Sequence, residues 1–340
     1  MRVEDFDFYL PKELIAQYPL ESRDSSRMMV IDRKTGTISH RIFMEIVDIL
    51  DDSYVIVLNN TRVIPARIYG KIEDRDVEIL LIREVKEDTW ECFTKPAKRF
   101  KKGVKITFSN ELSAIVEDTL GEGRRLIKFQ PEGLIKREIE RIGKIPLPPY
   151  IKRTPLDMDR ERYQTVFAKI PGSVAAPTAG LHFTERVLKG LKNKGIEILE
   201  VTLHVGPGTF KPLREGEVET QKIEEEYFEV PDVTAERIKL AKDSGKKILA
   251  VGTTVVRTLE SAFDEKGNII KKAGFTDLFI YPGYKFKIVD CLLTNFHLPK
   301  SSLLLLVCAF MGKELTFKAY DIAVKERYRF YSYGDCMLIL

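Results

Sequence analysis

Cysteine, histidine and tryptophan are all scarce in this 340-residue sequence, with four, four and one respectively. Each scarcity closes a class of answers. Cys92, Cys291, Cys308 and Cys336 lie far apart with no C-x-x-C pair, which argues against a disulfide framework and a structural zinc site. His40, His182, His204 and His297 include no H-E-x-x-H arrangement. The longest apolar run, residues 303–310, is too short to cross a bilayer, and the acidic N-terminus lacks the apolar core of a signal peptide. A cytoplasmic protein in a reducing compartment is the expectation.

Charge of one sign is also lacking. Lys and Arg total 55 against 51 Asp and Glu, a net +4 that excludes a polycation wrapped by nucleic acid but leaves room for a local basic patch. With 44% hydrophobic and 31% charged residues, the chain is globular and has ample material for buried cores. Its length predicts two domains.

Texture divides the chain. Residues 32–38 carry turn chemistry between two short apolar stretches and predict a hairpin, followed by a helix over about 41–50 and a buried strand at 54–58. Residues 67–130 then hold six short strand-like segments (68–71, 77–83, 90–95, 104–108, 112–117 and 125–129), many separated by turn signals such as Gly121-Glu122-Gly123. They predict a small antiparallel barrel or sandwich, followed by a helix at 134–142 and the stiff linker Ile145-Pro146-Leu147-Pro148-Pro149-Tyr150. After residue 160, helices and strands alternate. Thr184 and Thr234 read as helix caps, Gly195 and Gly245 as stops, and a further helix is expected at 301–311. The fold expected is an α/β main domain, barrel-like, formed by residues 1–65 and 152–340, with a six-stranded antiparallel β-barrel inserted at 66–151.

Chemistry-bearing residues concentrate after residue 175. Ala175-Ala176-Pro177-Thr178-Ala179-Gly180-Leu181-His182 brings small residues and a histidine to a helix start, where backbone can approach a ligand and amides favour an anion. Leu203-His204-Val205-Gly206-Pro207-Gly208-Thr209 runs from a strand into a Gly-Pro-Gly turn but is not a dinucleotide fingerprint. In Val251-Gly252-Thr253-Thr254-Val255-Val256-Arg257, Thr253 or Thr254 is a natural cap, and Arg257 follows one turn later. Thr294-Asn295-Phe296-His297-Leu298-Pro299-Lys300 places Asn, His and Lys before another helix. Tyr331-Ser332-Tyr333-Gly334-Asp335 offers aromatic faces and a carboxylate. In the insert, Lys95, Lys98, Arg99, Lys101, Lys102 and Lys105 put six basic residues in eleven, either a phosphate-tracking patch or a solvated hairpin.

Taken in order, these blocks resemble the S-adenosylmethionine:tRNA ribosyltransferase-isomerase family of queuosine biosynthesis. The resemblance starts at Phe6-Asp7-Phe8-Tyr9-Leu10-Pro11. It continues through Asn59-Asn60-Thr61-Arg62-Val63-Ile64-Pro65-Ala66-Arg67 and Gln164-Thr165-Val166-Phe167, and takes in every cluster after residue 175. Asn60 stands where the family usually has Asp, and Gln221 and Glu224 where members often carry His.

The resemblance implies that the ribose of S-adenosylmethionine is transferred and rearranged onto a 7-aminomethyl-7-deazaguanine at the tRNA wobble position. Epoxyqueuosine-tRNA, adenine and methionine result. S-adenosylmethionine is a co-substrate, no metal or true cofactor is expected, and the expected form is a monomer. The chemistry asks for a base near the sulfonium, for which His182 or His297 is favoured, and a proton donor near the purine, for which Asp335, Glu226 or a second His could serve. S-adenosylmethionine contacts are expected from Thr178, Ala179, Gly180, Gly206, Gly208, Thr209, Thr253, Thr254, Arg257, Asn295, Tyr331 and Tyr333, with tRNA on the six basic residues. Two rivals remain, a non-catalytic RNA-binding module and a methyltransferase. The second lacks its glycine-rich strand-loop-helix.

Overall fold

The computed structural model describes residues 1–121, 123–210 and 212–340; Glu122, in the middle of the turn expected at 121–123, lies outside them. β1 (Arg27–Asp32) and β2 (Thr37–Ile42) form the expected antiparallel hairpin. Their ladder continues to Ile42, so the helix expected from residue 41 shrinks to α1 (Ile46–Ile49). β3 (Tyr54–Asn59) is buried along its whole length, as its unbroken apolar run demands of a central strand. β4 (Thr61–Val63) follows.

The six segments of the insert are β5 (Arg67–Ile72), β6 (Arg75–Lys86), β7 (Thr89–Lys95), β8 (Lys105–Thr107), β9 (Ser113–Gly121) and β10 (Arg124–Gln130). They close in the order β10-β7-β6-β5-β8-β9. Alternate side chains such as Ile68, Ile79, Cys92, Ile106, Val116 and Ile127 fill the interior, and α2 (Leu134–Ile142) adds Ile135 and Ile139. The two chain crossings into and out of the barrel lie side by side. Arg67 and Lys144 exchange backbone hydrogen bonds of 3.1 and 2.8 Å. A Cβ at Gly143 would stand 2.0 Å from the Pro65 carbonyl oxygen, so only glycine fits that crossing.

The remaining elements are α3 (Asp159–Arg162), β11 (Ile170–Ser173), α4 (Glu185–Asn193), β12 (Glu197–Leu203), β13 (Glu226–Glu229), α5 (Asp232–Asp243), β14 (Lys247–Val251) and α6 (Thr253–Ala262). β15 (Ala273–Thr276), β16 (Cys291–Asn295), α7 (Ser302–Met311), α8 (Lys313–Lys325) and β17 (Cys336–Ile339) complete the chain. Thr184 caps α4, its Oγ1 accepting the Val187 N–H, and Ser301 caps α7 in the same way. Thr234 does not cap α5. That helix begins two residues earlier, after Pro231, and the Thr234 hydroxyl donates to the Glu200 carbonyl at 2.8 Å instead. α6 starts after Gly252 at φ 92, with no side-chain cap, so Thr253 and Thr254 are its first helical residues and not its cap.

The main domain is α/β, and its sheet is mixed: β15-β13-β12-β3-β14-β16-β17-β1-β2. Barrel-like closure is not seen in the pairing of the described residues. The edge strand β2 exposes Thr37, His40 and Arg41 and pairs with β1 alone among the described residues. Along β3, Val55 and Val57 join the core under α5 and α6, while Ile56 and Leu58 join the one under α4. Both faces are therefore covered. β12, β3, β14 and β16 are mutually parallel in that order, which brings their C-terminal ends to one edge. No helix among the described residues is long and apolar enough to cross a membrane.

Candidate active site

Parallel strands leave their last carbonyls and the following loops at one edge, and ligands of open α/β sheets bind there. Here three adjoining hollows, all reaching Thr209 or Leu303 or both, form one cleft at that edge. Each segment that lines it follows or adjoins a strand. Thr178 and Ala179 come from the loop after β11, Gly208 and Thr209 from the turn after β12, and Gly252, Thr253 and Thr254 from the β14–α6 junction. Thr294, Asn295 and His297 come from the end of β16, and Tyr331 and Ser332 from the loop before β17. Tyr150, on the linker leaving the barrel, closes one side.

His297 is 7% exposed, and its Nε2 lies 2.8 Å from the Thr294 hydroxyl. Its own N–H donates to Tyr320 Oη at 3.0 Å. Burial pushes the imidazole pKa down to about 3, so it stands neutral in the cleft. His182 does not share the cleft. It lines a separate hollow across Ser332, with Nδ1 2.7 Å from the Ser26 hydroxyl and its pKa lowered by burial to about 4. Asn295 is near enough to raise the basicity of His182, yet neither His182 Nε2 nor Asn295 Oδ1 completes a well-aligned hydrogen bond. The two histidines favoured from sequence thus separate, one inside the cleft and one behind it.

Glu226 and Arg257 line the cleft as a buried ion pair. Glu226 Oε1 accepts the Gly206 N–H at 2.8 Å and the Thr209 hydroxyl at 2.7 Å. Arg257 donates to the Leu278 and Thr276 carbonyls, each at 3.1 Å. Arg257 is thus held by the protein, and the free charged fork expected beside a ligand carboxylate is not what it presents. Glu226 likewise accepts on both oxygens and orders the turn after β12. Gly206 contributes its N–H to that network, while Gly208 borders the cleft directly. Gly180 is a packing position, where a Cβ would meet Phe167 and Thr165 at 2.7 and 2.8 Å.

Asp335 lies in none of the hollows described. Its carboxylate accepts the Arg27 and Arg329 N–H groups at 3.0 and 2.8 Å, and burial raises its pKa. It fastens the 328–335 loop. Tyr333 faces the His182 hollow and donates to Asp159 at 2.8 Å. Tyr331 does reach the cleft, with a left-handed backbone at φ 70 that a non-glycine residue adopts only when its surroundings impose it. Its N–H donates to the Phe296 carbonyl at 3.1 Å, and its carbonyl accepts Asn295 Nδ2 at 2.9 Å. Tyr150 and Ser332 went unnoticed as site residues, because a proline-flanked linker and a lone serine carry no chemical signature.

The match to known proteins covers nearly the full length. The family model described as queuosine biosynthesis protein spans residues 3–339. The chain belongs to the queuosine biosynthesis protein family. It is 52% identical over 343 residues to the S-adenosylmethionine:tRNA ribosyltransferase-isomerase of Halothermothrix orenii, and 51% identical over 342 residues to that of Clostridioides difficile. Both alignments cover all of each chain. A crystal structure of S-adenosylmethionine tRNA ribosyltransferase from Thermotoga maritima matches 99% of this chain and all of that one, at 41% identity and a TM-score of 0.57.

In this family member the basic run lies on the barrel, in the connection between β7 and β8. Lys95 ends β7, Lys105 begins β8, and the connection between them carries the rest. The five lysines are exposed, and Arg99 donates to the Asp76 carbonyl at 3.3 Å. Beside this run, Arg124 of β10 pairs with Glu91 and with Glu224 of the main domain. That pairing ties the barrel to the segment bordering the cleft.

Proposed function

We propose that the cleft holds S-adenosylmethionine as a ribosyl donor and receives the 7-aminomethyl-7-deazaguanine of a tRNA wobble position, giving epoxyqueuosine-tRNA, adenine and methionine. The observation that carries this reading is the convergence on Thr209 and His297 of five segments separated by up to about 150 residues, all at the C-terminal edge of the parallel strands. A non-catalytic RNA-binding module would have no use for a buried neutral histidine and a buried ion pair lining one cleft.

The roles follow from the chemistry. A sulfonium acidifies the neighbouring ribose CH₂. His297, buried in the cleft, is our candidate to take that proton, after which adenine leaves and the substrate amine attacks. The methionine carboxylate suits the start of α6, where Thr253 and Thr254 line the cleft and the helix amides favour negative charge. The sulfonium suits the Tyr331 face. The tRNA backbone suits the lysines of the barrel, and base extrusion from the anticodon costs a few kcal/mol that such phosphate contacts help supply.

One incubation tests the reading. With S-adenosylmethionine and tRNA bearing the modified base, adenine and methionine should appear together. S-adenosylhomocysteine would indicate methyl transfer, and no turnover would indicate a binder.

A further inference from the structure

The hollow lined by His182 has no part in the ribosyl-transfer steps above, yet it is a basic concavity bordering the cleft. Arg23 and Arg162 line it, and Ser332 lines both it and the cleft. Arg329 lies close enough to act on His182. All three guanidiniums are held by main-chain oxygens. Arg23 donates to the Gln164 and Glu161 carbonyls at 2.7 and 2.9 Å, Arg162 to the Leu20 and Glu21 carbonyls at 2.6 and 3.2 Å, and Arg329 to the Tyr18 carbonyl. Carbonyl dipoles satisfy donors without neutralising charge.

The neighbouring carboxylates are engaged elsewhere. Asp24 is held by Arg186 and Thr184, Asp159 by Arg153 and Tyr333, and Asp335 by two backbone N–H groups. Exposed Glu161 acts on Arg23, and Asp335 on Arg329, only through space, and on Arg23 the charge of Arg162 presses in the opposite sense. Two donors are left over: Arg162 Nε and Arg329 Nη1 are buried without a partner. Guanidiniums at a concave site with no carboxylate bonded to them raise a positive potential that an anion would relieve, and the planar fork of arginine suits phosphate.

We infer that this hollow is a phosphate subsite for the tRNA strand, holding a backbone phosphodiester adjacent to the nucleotide whose base enters the cleft. The methionine carboxylate is the less suitable occupant, because three guanidiniums exceed what one carboxylate neutralises and the start of α6 offers it a place inside the cleft. The inference rests on the ribosyl-transfer reading.

The test uses the whole protein and anticodon stem-loops bearing the modified base, each with one neutral methylphosphonate at a position near it. In the wild-type protein, one such position should raise the stem-loop KM by roughly tenfold and reduce the salt slope of binding by about 0.7. Arg162→Gln should reproduce both effects, leave the KM for S-adenosylmethionine unchanged, and become indifferent to that same methylphosphonate. Arg162→Lys should recover part of the slope. The subsite is rejected if no methylphosphonate alters the wild-type KM. It is equally rejected if Arg162→Gln raises only the KM for S-adenosylmethionine, which would place the carboxylate there. Wild-type protein that releases no adenine with an unmodified backbone overturns the ribosyl-transfer reading itself, a different result from either. Because the phosphonate scan is done on the wild type, it decides the matter even if Arg162→Gln does not fold.

Discussion

Tyr150 and Tyr331 stack with ring centroids 4.5 Å apart and planes inclined by 21°. One comes from the linker leaving the inserted barrel, and the other from the loop before the last strand. Tyr150 also shares a 2.5 Å hydrogen bond with the Ser332 hydroxyl. The pair therefore couples the position of the barrel to the loop that borders the cleft. It braces the left-handed backbone of Tyr331 in the process.

Removing the ring of Tyr150 should release that loop. We expect Tyr150→Ala to lower kcat/KM at least tenfold, while Tyr150→Phe, which keeps the stack and loses one hydrogen bond worth about 1 kcal/mol, changes it little. Steady-state adenine release compares the two variants. Equal losses in both would assign the effect to the hydroxyl and not to the stack.

His297→Ala should leave S-adenosylmethionine binding largely intact but slow adenine release by ~100-fold or more, the size typical of a lost acid–base group. Equilibrium binding and single-turnover release separate the two quantities. Wild-type turnover in this variant would remove His297 from the mechanism.

The same histidine makes the fold acid-sensitive. His297 near 3 and His182 near 4 stand well below the ~6.5 of an imidazole in an unfolded chain. As pH falls through about 6.5, the unfolded chain takes up these protons while the native protein does not, so stability is complete above that pH and declines below it. The His182→Asn/His297→Asn double variant should therefore lose less stability than the wild type between about pH 6 and pH 5. Urea midpoints at the two values decide it, and identical declines would show that neither histidine carries the effect.

Much of the architecture was readable because local rules and burial agreed. The six barrel segments are bounded by turn residues, Thr184 stands as a cap before an amphipathic helix, and the 301–311 helix follows an unbroken apolar run, so each is legible to within a few residues. α8 was not foreseen, since its amphipathic pattern follows directly on α7 and only Gly312 at φ 85 separates them. At the cleft, Thr178, Thr209, Thr253 and His297, small and polar residues beside strand ends, line one hollow. What sequence could not supply was partnership. Arg257 looks like a ligand fork until Glu226, thirty-one residues earlier, is found against it. His182 and His297 look interchangeable until Ser332 is seen to divide their hollows.

The barrel lysines carry a prediction independent of the cleft. Replacing Lys98, Arg99 and Lys101 with Ala should weaken tRNA binding and flatten its salt dependence by roughly 0.7–0.9 for each phosphate left unneutralised. S-adenosylmethionine binding should not change, because none of the three lines the cleft. Filter binding from low to moderate salt measures the slope. An unchanged slope would reduce the run to a solvated connection between β7 and β8.

Glu226 and Arg257 offer the sharpest test of how the cleft is built. Their side chains are 3% and 7% exposed, so removing either partner leaves a buried charge uncompensated, at a cost of about 3–5 kcal/mol. Glu226→Gln should also loosen the Thr209 hydroxyl that Glu226 holds at 2.7 Å, and activity should fall together with stability. The double variant Glu226→Gln/Arg257→Met removes both charges at once. It should lose at least about 1 kcal/mol less than the sum of the single losses, because neighbouring residues that share a buried charge pair are not additive. Urea denaturation of the wild type, the two single variants and the double variant completes the cycle. Strict additivity would mean that the pair does not act as a unit, and the ordering of the turn after β12 would then need another source.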